Sequence, residues 1–214
     1  MKSAVLFSGG KDSTMAAFFS LFQGWNTTLI CVQSEEDSYM FHHPNTDFCK
    51  LQAHSMGLPI HYIRTNKARE LADLKAHLEK IKTDCIVSGA VASEYQKQRI
   101  DVIAEELNIP SFSPLWHKGT QILEEIAQYL EIYIVHVAAD GLGSELLGKR
   151  LTLTEIYNLS KLNIHPFFEG GEGETFVSDA PFFRERLEVL AWDYLCGSTH
   201  FTAKISKIRV HKKF

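Results

Sequence analysis

The chain has 214 residues, of which 45% are hydrophobic and 22% are charged, with a formal net charge of −4. These totals are typical of a globular protein that buries a core without disulfides, and the negative charge argues against broad nucleic-acid binding. A basic stretch at residues 204–213 is either a local basic patch or a final strand with solvated charges.

The four cysteines, Cys31, Cys49, Cys85 and Cys196, form no C-x-x-C pair, which excludes a zinc knuckle or a thioredoxin-type dithiol. The start of the chain is too soon interrupted by Gly9 to be a signal peptide, and no apolar run approaches the length needed to span a bilayer. We therefore expect no membrane association and a cytoplasmic protein with reduced thiols.

The first half of the sequence alternates short apolar runs with helical patterns. Strands are predicted at 4–7, 28–32, 60–63, 85–87 and 111–112, and helices at 13–22, 46–56, 68–81 and 94–107. This alternation predicts βαβ units, and hence an α/β fold with a doubly wound, mostly parallel sheet and helices on both faces.

The pattern changes after Trp116. Helices are predicted at 121–130 and 153–162, a strand at 132–137, an acidic, glycine-rich stretch at 168–176, and one or two antiparallel strands within 186–210. We therefore predict an N-terminal α/β domain of residues 1–118 and a smaller C-terminal α+β domain of residues 119–214.

A glycine-rich loop, Ser8-Gly9-Gly10-Lys11-Asp12-Ser13, lies between the first predicted strand and the first predicted helix. Glycines let the backbone turn its N–H groups inward, the helix start favours an anion, and Lys11 adds a positive charge. The spacing does not fit a Walker A loop or a dinucleotide fingerprint. S-G-G-K-D-S resembles the signature of the PP-loop, or N-type, ATP pyrophosphatases of the HUP (adenine nucleotide alpha hydrolase-like) fold, which implies cleavage of ATP to AMP and pyrophosphate.

The sequence leaves more than one role open for Asp12 and for a cluster of three glutamates. Asp12 either helps to hold Mg²⁺ and order the loop or is an acid favoured by the helix N-terminus. Glu169, Glu172 and Glu174 alternate with glycines, so they either hold Mg²⁺, bind ammonium or accept protons from an amine, or they form a solvated acidic turn.

Further candidates follow the predicted strands. The switch point of the sheet would place Val32, Gln33 and Ser34 beside the adenosine, together with Gly89 and Ala90, where glycine lets backbone approach the ligand. Gln98 or Arg99 could contact phosphate, or each could be a solvated helix residue. In the loop that contains Pro44, His42 could act as a base or as a hydrogen-bond donor to phosphate. His42 and Asn45 could equally be turn residues.

Six segments occur together and in order: Ser8–Ser13, Phe41–Asn45, Gly89–Arg99, Ser111–Trp116, Ala138–Gly143 and Glu169–Phe176. This combination resembles the diphthine–ammonia ligases over nearly the whole chain, and S-G-A-V-A-S-E-Y-Q and E-G-G-E-G-E-T-F are the most restrictive parts. The resemblance implies that ATP adenylates the diphthine carboxylate of translation elongation factor 2, and that ammonia displaces AMP to give diphthamide. Eukaryotic relatives are expected to carry additional C-terminal domains, so the chain resembles the short, archaeal-type form.

The resemblance also implies roles for the candidate residues, with ATP and Mg²⁺ as cofactors and ammonia as the nitrogen donor. Catalytic roles are expected for Lys11, Asp12, Glu94, Glu169, Glu172 and Glu174. ATP is expected to contact Ser8, Gly9, Gly10, Lys11, Asp12, Ser13, Val32, Gln33, Ser34, Gly89, Ala90 and Arg99. The substrate is expected to contact His42, Asn45, Tyr95, Gln98, Gly170, Gly171 and Thr175. Mg²⁺ is assigned to Asp12.

Two other functions would also use the glycine-rich loop to bind the nucleotide, but with a different substrate or without catalysis. PP-loop enzymes also adenylate tRNA bases, although the missing C-x-x-C pair and the negative charge fit tRNA thiolation poorly. A nucleotide-binding module without chemistry would not need the acidic residues 169–174. We expect the modified elongation factor as partner and no stable nucleic-acid partner, and the sequence leaves open whether the chain forms a homo-oligomer.

Overall fold

The computed structural model describes residues 1–35, 38, 40–41, 44–197 and 199–213. The first half contains β1 (Lys2–Leu6), α1 (Lys11–Phe22), β2 (Asn26–Gln33), α2 (Cys49–Met56), β3 (Ile60–Arg64), α3 (Glu70–Ile81), β4 (Cys85–Val87), α4 (Glu94–Glu106) and β5 (Ser111–Phe112). Its five strands form a parallel sheet in the order β3-β2-β1-β4-β5. The predicted α/β fold is confirmed, and the order reverses at β1, where such sheets bind ligands.

The helices cover both faces of this sheet because its strands are apolar on both sides. Val5 packs in the cluster that includes α1 and α2, whereas its neighbour Ala4 packs in the cluster of α3 and α4. Successive residues of a strand point to opposite faces, so alternate residues supply the two layers. Right-handed crossovers account for the two-sided arrangement.

The second half contains α5 (Thr120–Tyr129), β6 (Glu131–Val137), α6 (Leu153–Leu159), β7 (Gly173–Asp179), β8 (Glu185–Cys196) and β9 (Phe201–Lys212). These strands form an antiparallel sheet in the order β7-β6-β9-β8. Where one or two antiparallel strands are predicted within residues 186–210, the structure has two, β8 and β9. No helix in the described part of the chain has the length and apolar character needed to cross a membrane.

Several boundaries differ from the sequence prediction. The segment predicted as one helix over 46–56 begins with a 3-10 turn at Thr46–Phe48, after Asn45 in a left-handed conformation with φ of 68°. The helix predicted at 153–162 ends at Leu159. The prediction also missed β7, because the glycines and carboxylates of residues 168–176 favour a turn when they are considered locally.

The two sheets are joined through the outer edge of β7. The Val177 N–H donates to the carbonyl of Gly9 at 3.0 Å, so the strand pairs with the loop after β1. The side-chain amide of Gln52, which is fully buried, donates to the carbonyls of both Gly9 and Val177. The apolar cluster on the α1 side continues into the second sheet through Val177 and Ala203. The loop after β1 therefore lies between the two sheets.

Asn45 fastens β9 to the first half of the chain. Its side-chain Nδ2 donates to the carbonyl of Ala203 at 3.0 Å, and its Oδ1 accepts from the N–H of Ile205 at 2.7 Å. The amide thus completes the hydrogen bonding of a strand, which differs from the predicted contact with substrate.

We predict that Asn45→Ala lowers the free energy of unfolding by about 1–3 kcal/mol, because two partly buried backbone groups lose their partner. Urea denaturation followed by circular dichroism measures this loss. Asn163→Ala, at an exposed asparagine, is the matched control and should change the midpoint little. Equal midpoints for the two variants would contradict this role of Asn45.

Candidate active site

A cavity of about 540 Å³ opens at the carboxyl ends of β1 and β4 and is closed on its far side by the second half of the chain. This volume lies within the range of about 300–1,000 Å³ that is usual for small-molecule sites. Among the predicted site residues, those that line it are Ser8, Gly10, Lys11, Asp12, Ser13, Val32, Gly89, Ala90, Tyr95, Glu169, Gly170, Gly171, Glu174 and Thr175.

The hydroxyls of Ser8 and Ser13 hold the glycine-rich loop in a closed turn. The Ser8 N–H donates to Ser13 Oγ at 3.2 Å, and Ser13 Oγ donates to the carbonyl of Gly10 at 3.1 Å. Gly10 is the N-cap of α1, and Gly9 has a φ of 82°, which favours glycine. The loop therefore delivers the N-terminus of α1 to the cavity, an arrangement that suits an anion.

Lys11 places a buried positive charge at the cavity wall. Its side chain is 3% exposed, and its ammonium donates to Asp12 Oδ2 and to the carbonyl of Phe167, both at 2.7 Å. The ammonium also lies 5.6 and 5.7 Å from the ring centroids of Phe167 and Phe168. The Lys11 N–H donates to Thr175 Oγ1 at 3.1 Å. Residues far along the chain thus fix the loop lysine.

Asp12 has a buried carboxylate oxygen that could bind a cation. Its Oδ1 is buried and has no hydrogen-bond partner among the described residues. Burial raises the pKa of Asp12 to about 6 against the opposing effect of Lys11, and the negative charges of Glu169 and Glu174 raise the pKa further. No cluster of three metal-ligating side chains occurs in the described ranges. Mg²⁺ usually binds one or two carboxylates together with phosphate oxygens, so a single orphaned carboxylate oxygen fits it.

The three clustered glutamates have separate environments. Glu169 Oε2 accepts from the backbone N–H groups of residues 91–93, at 3.3, 3.0 and 3.0 Å, and so orders the loop before α4. The Glu172 carboxylate accepts from the N–H groups of Gly170 and His165 within its own loop, and Glu172 does not line the cavity. Glu174 lies on β7 at the cavity wall. The carboxylates therefore do not converge on one ion, and two of them order backbone.

The other end of the cavity is apolar. Ile30 and Val32 of β2, Ile100 of α4, and Met40 and Phe41 from the segment after β2 line this end. These residues belong to the apolar cluster on the α3 and α4 side of the sheet. An apolar slot beside a polar, anion-binding loop matches the two ends of a nucleotide.

Two residues predicted beside the nucleotide lie outside the cavity lining. The Gln33 side-chain amide donates to Thr46 Oγ1 at 3.3 Å and to Asp47 Oδ1 at 3.1 Å. The Ser34 hydroxyl donates to Glu70 Oε2 at 3.0 Å. Both side chains therefore connect the end of β2 to neighbouring segments, and only Val32 of the predicted trio reaches the cavity.

The predicted site residues of α4 also differ in whether they line the cavity. Tyr95 lines the cavity, and the Arg99 guanidinium stacks 3.3 Å from its ring centroid and donates to its carbonyl. Glu94 and Gln98 are exposed on α4 and do not line the cavity. His42 lies outside the described residues. Arg99 thus reaches the cavity only through Tyr95.

Gly89 is required for a reason different from the predicted one. A Cβ at this position would lie 2.6 Å from the backbone carbon of Asp12 and 2.7 Å from the nitrogen of Ser13. These distances are too short for real contacts, and backbone cannot move aside as a side chain can. Gly89 therefore allows the loop after β4 to pack against the glycine-rich loop itself.

Sequence reasoning missed several wall residues, including Met40, Phe41, Ser93, Phe167 and Phe168. Ser93 could have been recognised as the N-cap of α4, since its side chain accepts from the N–H of Gln96. Phe167 and Phe168 adjoin the acidic stretch, but only the folded chain shows that their rings face Lys11.

We predict that Asp12→Asn raises the stability of the ligand-free protein at about pH 7 by about 1–2 kcal/mol, because the pKa of Asp12 is raised by burial. The folded state binds the proton more tightly than the unfolded state, so ionised Asp12 costs stability above about pH 6 and nothing below about pH 4. The difference in Tm between variant and wild type should therefore vanish as the pH is lowered across this window. A variant less stable at neutral pH would contradict the conclusion that burial disfavours ionised Asp12.

Comparison with known proteins identifies the family. The family model described as the diphthamide synthase N-terminal domain matches residues 1–111, and the model of the diphthamide synthase C-terminal domain matches residues 118–211. The proteins named diphthine–ammonia ligase from Rattus norvegicus and Homo sapiens are 31% and 30% identical to the chain. Each alignment covers 98% of this chain, with 91% of the rat protein and 90% of the human one.

Two further comparisons have lower coverage or lower identity. The Schizosaccharomyces pombe diphthine–ammonia ligase is 30% identical, but only 36% of it is covered, so the expected additional length belongs to this relative and not to the mammalian ones. A predicted tRNA methyltransferase subunit of Methanocaldococcus jannaschii has 17% identity and a TM-score of 0.48, and 85% of this chain and 98% of that one are covered. The last likeness carries no argument about function. On the two matching family models and the full-length relatives, the chain belongs to the diphthamide synthase family.

Proposed function

We propose that the chain amidates diphthine on translation elongation factor 2 with ammonia and ATP, through an acyl-adenylate, to give diphthamide, AMP and pyrophosphate. The observation that carries the proposal is a single cavity that joins the glycine-rich loop to the Glu169–Thr175 segment. Membership of the diphthamide synthase family and relatives named diphthine–ammonia ligase support it.

The shape of the cavity supports a place for ATP. Its apolar end, which includes Ile30 and Val32, suits adenine, and the loop with Lys11 and the start of α1 suits phosphates. We assign residues 1–118 to this nucleotide half and residues 119–214 to the substrate half. The phosphates would meet Lys11 beside Asp12, so the loop pairs one fixed cation with one carboxylate.

Asp12 would hold Mg²⁺ through its orphaned Oδ1, together with phosphate oxygens. When bound, Mg²⁺ supplies charge neutralisation for the departing pyrophosphate. Lys11 contributes a preorganised charge to the same end, because Phe167 and Thr175 already fix its position.

Activation of the carboxylate explains the need for ATP. A carboxylate does not react with amines at neutral pH, since its leaving group would be hydroxide. Attack of the carboxylate oxygen on the α-phosphate releases pyrophosphate and leaves AMP as a good leaving group on the acyl carbon. Ammonia then displaces AMP. Tyr95, Gly170 and Gly171 lie at the wall where this acyl group would enter.

The proposal predicts that pyrophosphate release requires ATP and the diphthine-bearing elongation factor, and that ammonia is needed for release to continue beyond the first adenylation. Lys11→Met, which keeps the volume of the side chain and removes its charge, should lower the rate at least about 100-fold. Lys118→Met, at an exposed lysine, is the matched control and should behave as the wild type does. Release that needs tRNA instead of the elongation factor, or nucleotide binding with no turnover, would contradict the proposal.

Glu174 should act in the second half of the reaction. We predict that Glu174→Gln keeps the affinity for ATP within about 3-fold and slows amide formation by about 100-fold, because the amide cannot bind ammonium or accept its proton. Equilibrium binding of an ATP analogue and single-turnover amidation followed by mass spectrometry separate the two effects. Equal loss of both would place Glu174 with the nucleotide.

A further inference from the structure

Three polar residues form a row across the second sheet. Glu174 of β7 lies opposite His136 of β6, and His136 lies opposite Thr202 of β9. Residues directly opposite in antiparallel strands have side chains on the same face, with Cβ atoms about 4.5–5.5 Å apart. The row is tied together on one side, since His136 Nδ1 and Thr202 Oγ1 are 2.8 Å apart.

One end of this row reaches the cavity. Glu174 and its neighbour Gly173 line the wall, and a Cβ on Gly173 would lie 2.8 Å from the carbonyl oxygen of His136. The β6 strand therefore runs directly behind the wall that carries Glu174. The imidazole of His136 is half-buried. Its ring centroid lies 6.0 Å from that of His200, which is exposed to solvent.

The amidation requires two protons to leave the nitrogen. Ammonia is almost entirely protonated at neutral pH and has no lone pair in that form, whereas the amide product keeps two of the four hydrogens of ammonium. A site that binds ammonium through a carboxylate must therefore also remove a proton before attack. Imidazole is the side chain whose usual pKa suits this transfer near neutral pH.

We propose that His136 is a positioning residue that takes the proton of bound ammonium through Glu174, an assignment that rests on the proposed amidation. Ammonium gives one proton to the Glu174 carboxylate, which passes it through one bridging water to the imidazole of His136 and leaves neutral ammonia. When Nδ1 carries the ring hydrogen, it donates to Thr202 Oγ1, and the lone pair of Nε2 accepts the proton.

The remaining steps balance without another reactant. The nitrogen lone pair of ammonia attacks the acyl carbon, the bond from this carbon to the AMP oxygen breaks, and its electron pair leaves with AMP. The second proton returns to the ionised Glu174. Among the residues that the structure describes, Glu174, Thr202 and His200 face His136 from the neighbouring strands and the hairpin turn, and exposed His200 provides the route for the proton to solvent.

The test compares two nucleophiles in the full chain with ATP and the diphthine-bearing elongation factor. Hydroxylamine is already uncharged at about pH 7, so it can attack without the prior proton transfer through Glu174 to His136, which we call the relay. We expect His136→Gln to slow ammonia-dependent amidation about 100-fold at about pH 7 while turnover with hydroxylamine stays within about 2-fold. The defect with ammonia should shrink as the pH is raised toward the range in which ammonia is neutral.

Two further variants keep the test decisive. Thr202→Val removes the hydroxyl that orients the ring and should reproduce the pattern with a smaller, roughly 10-fold, loss. His211→Gln, at an exposed histidine at the other end of β9 that contacts Glu188, is the matched control and should leave both reactions unchanged.

Each outcome has one meaning. Equal loss with ammonia and hydroxylamine, or an unchanged rate with ammonia, in His136→Gln overturns the relay while the wild-type amidation stands. Absence of product from the wild type with either nucleophile overturns the proposed function itself.

Discussion

The pairing of β7 with the glycine-rich loop is the contact on which the site depends. The outer edge of β7 would expose unpaired backbone groups, and the bond from Val177 to Gly9 satisfies part of that edge. Thr175 adds a bond to the N–H of Lys11, and buried Gln52 bridges both segments. The loop conformation is therefore set by the second sheet as well as by the strand and helix that flank it.

The charges at the cavity are balanced only in part. Lys11 is satisfied by Asp12 and a carbonyl, yet Asp12 keeps one oxygen without a partner among the described residues, and burial together with Glu169 and Glu174 raises its pKa. A buried carboxylate of this kind costs stability in the ligand-free state. In the proposed reaction, a cation that arrives with the polyanionic nucleotide would offset this cost, and Asp12 would then have a role separate from the backbone-ordering role of Glu169.

The sequence was sufficient to predict the parallel sheet and its loop, because strand–helix alternation and S-G-G-K-D-S are local signals. It could not predict β7, since the glycines and carboxylates of that segment oppose a strand until β6 pairs with it. The closeness of His136 to Glu174 depends on strand register between distant segments, which no local spacing encodes. The need for Gly89 likewise arises from the backbone of Asp12 and Ser13, which only the packed loops bring near.

The alternation of β7 links the two halves of the proposed reaction. Successive residues of a strand face opposite sides, so Thr175 contacts the glycine-rich loop while adjacent Glu174 lies in the row with His136. One strand thus fixes the glycine-rich loop with one residue, and with the next it would present a carboxylate to the second step of the proposed reaction. A glycine-rich loop alone supports adenylation of many substrates, so in the proposed reaction the selectivity for an amide-forming step would come from the residues of β6, β7 and β9 behind it.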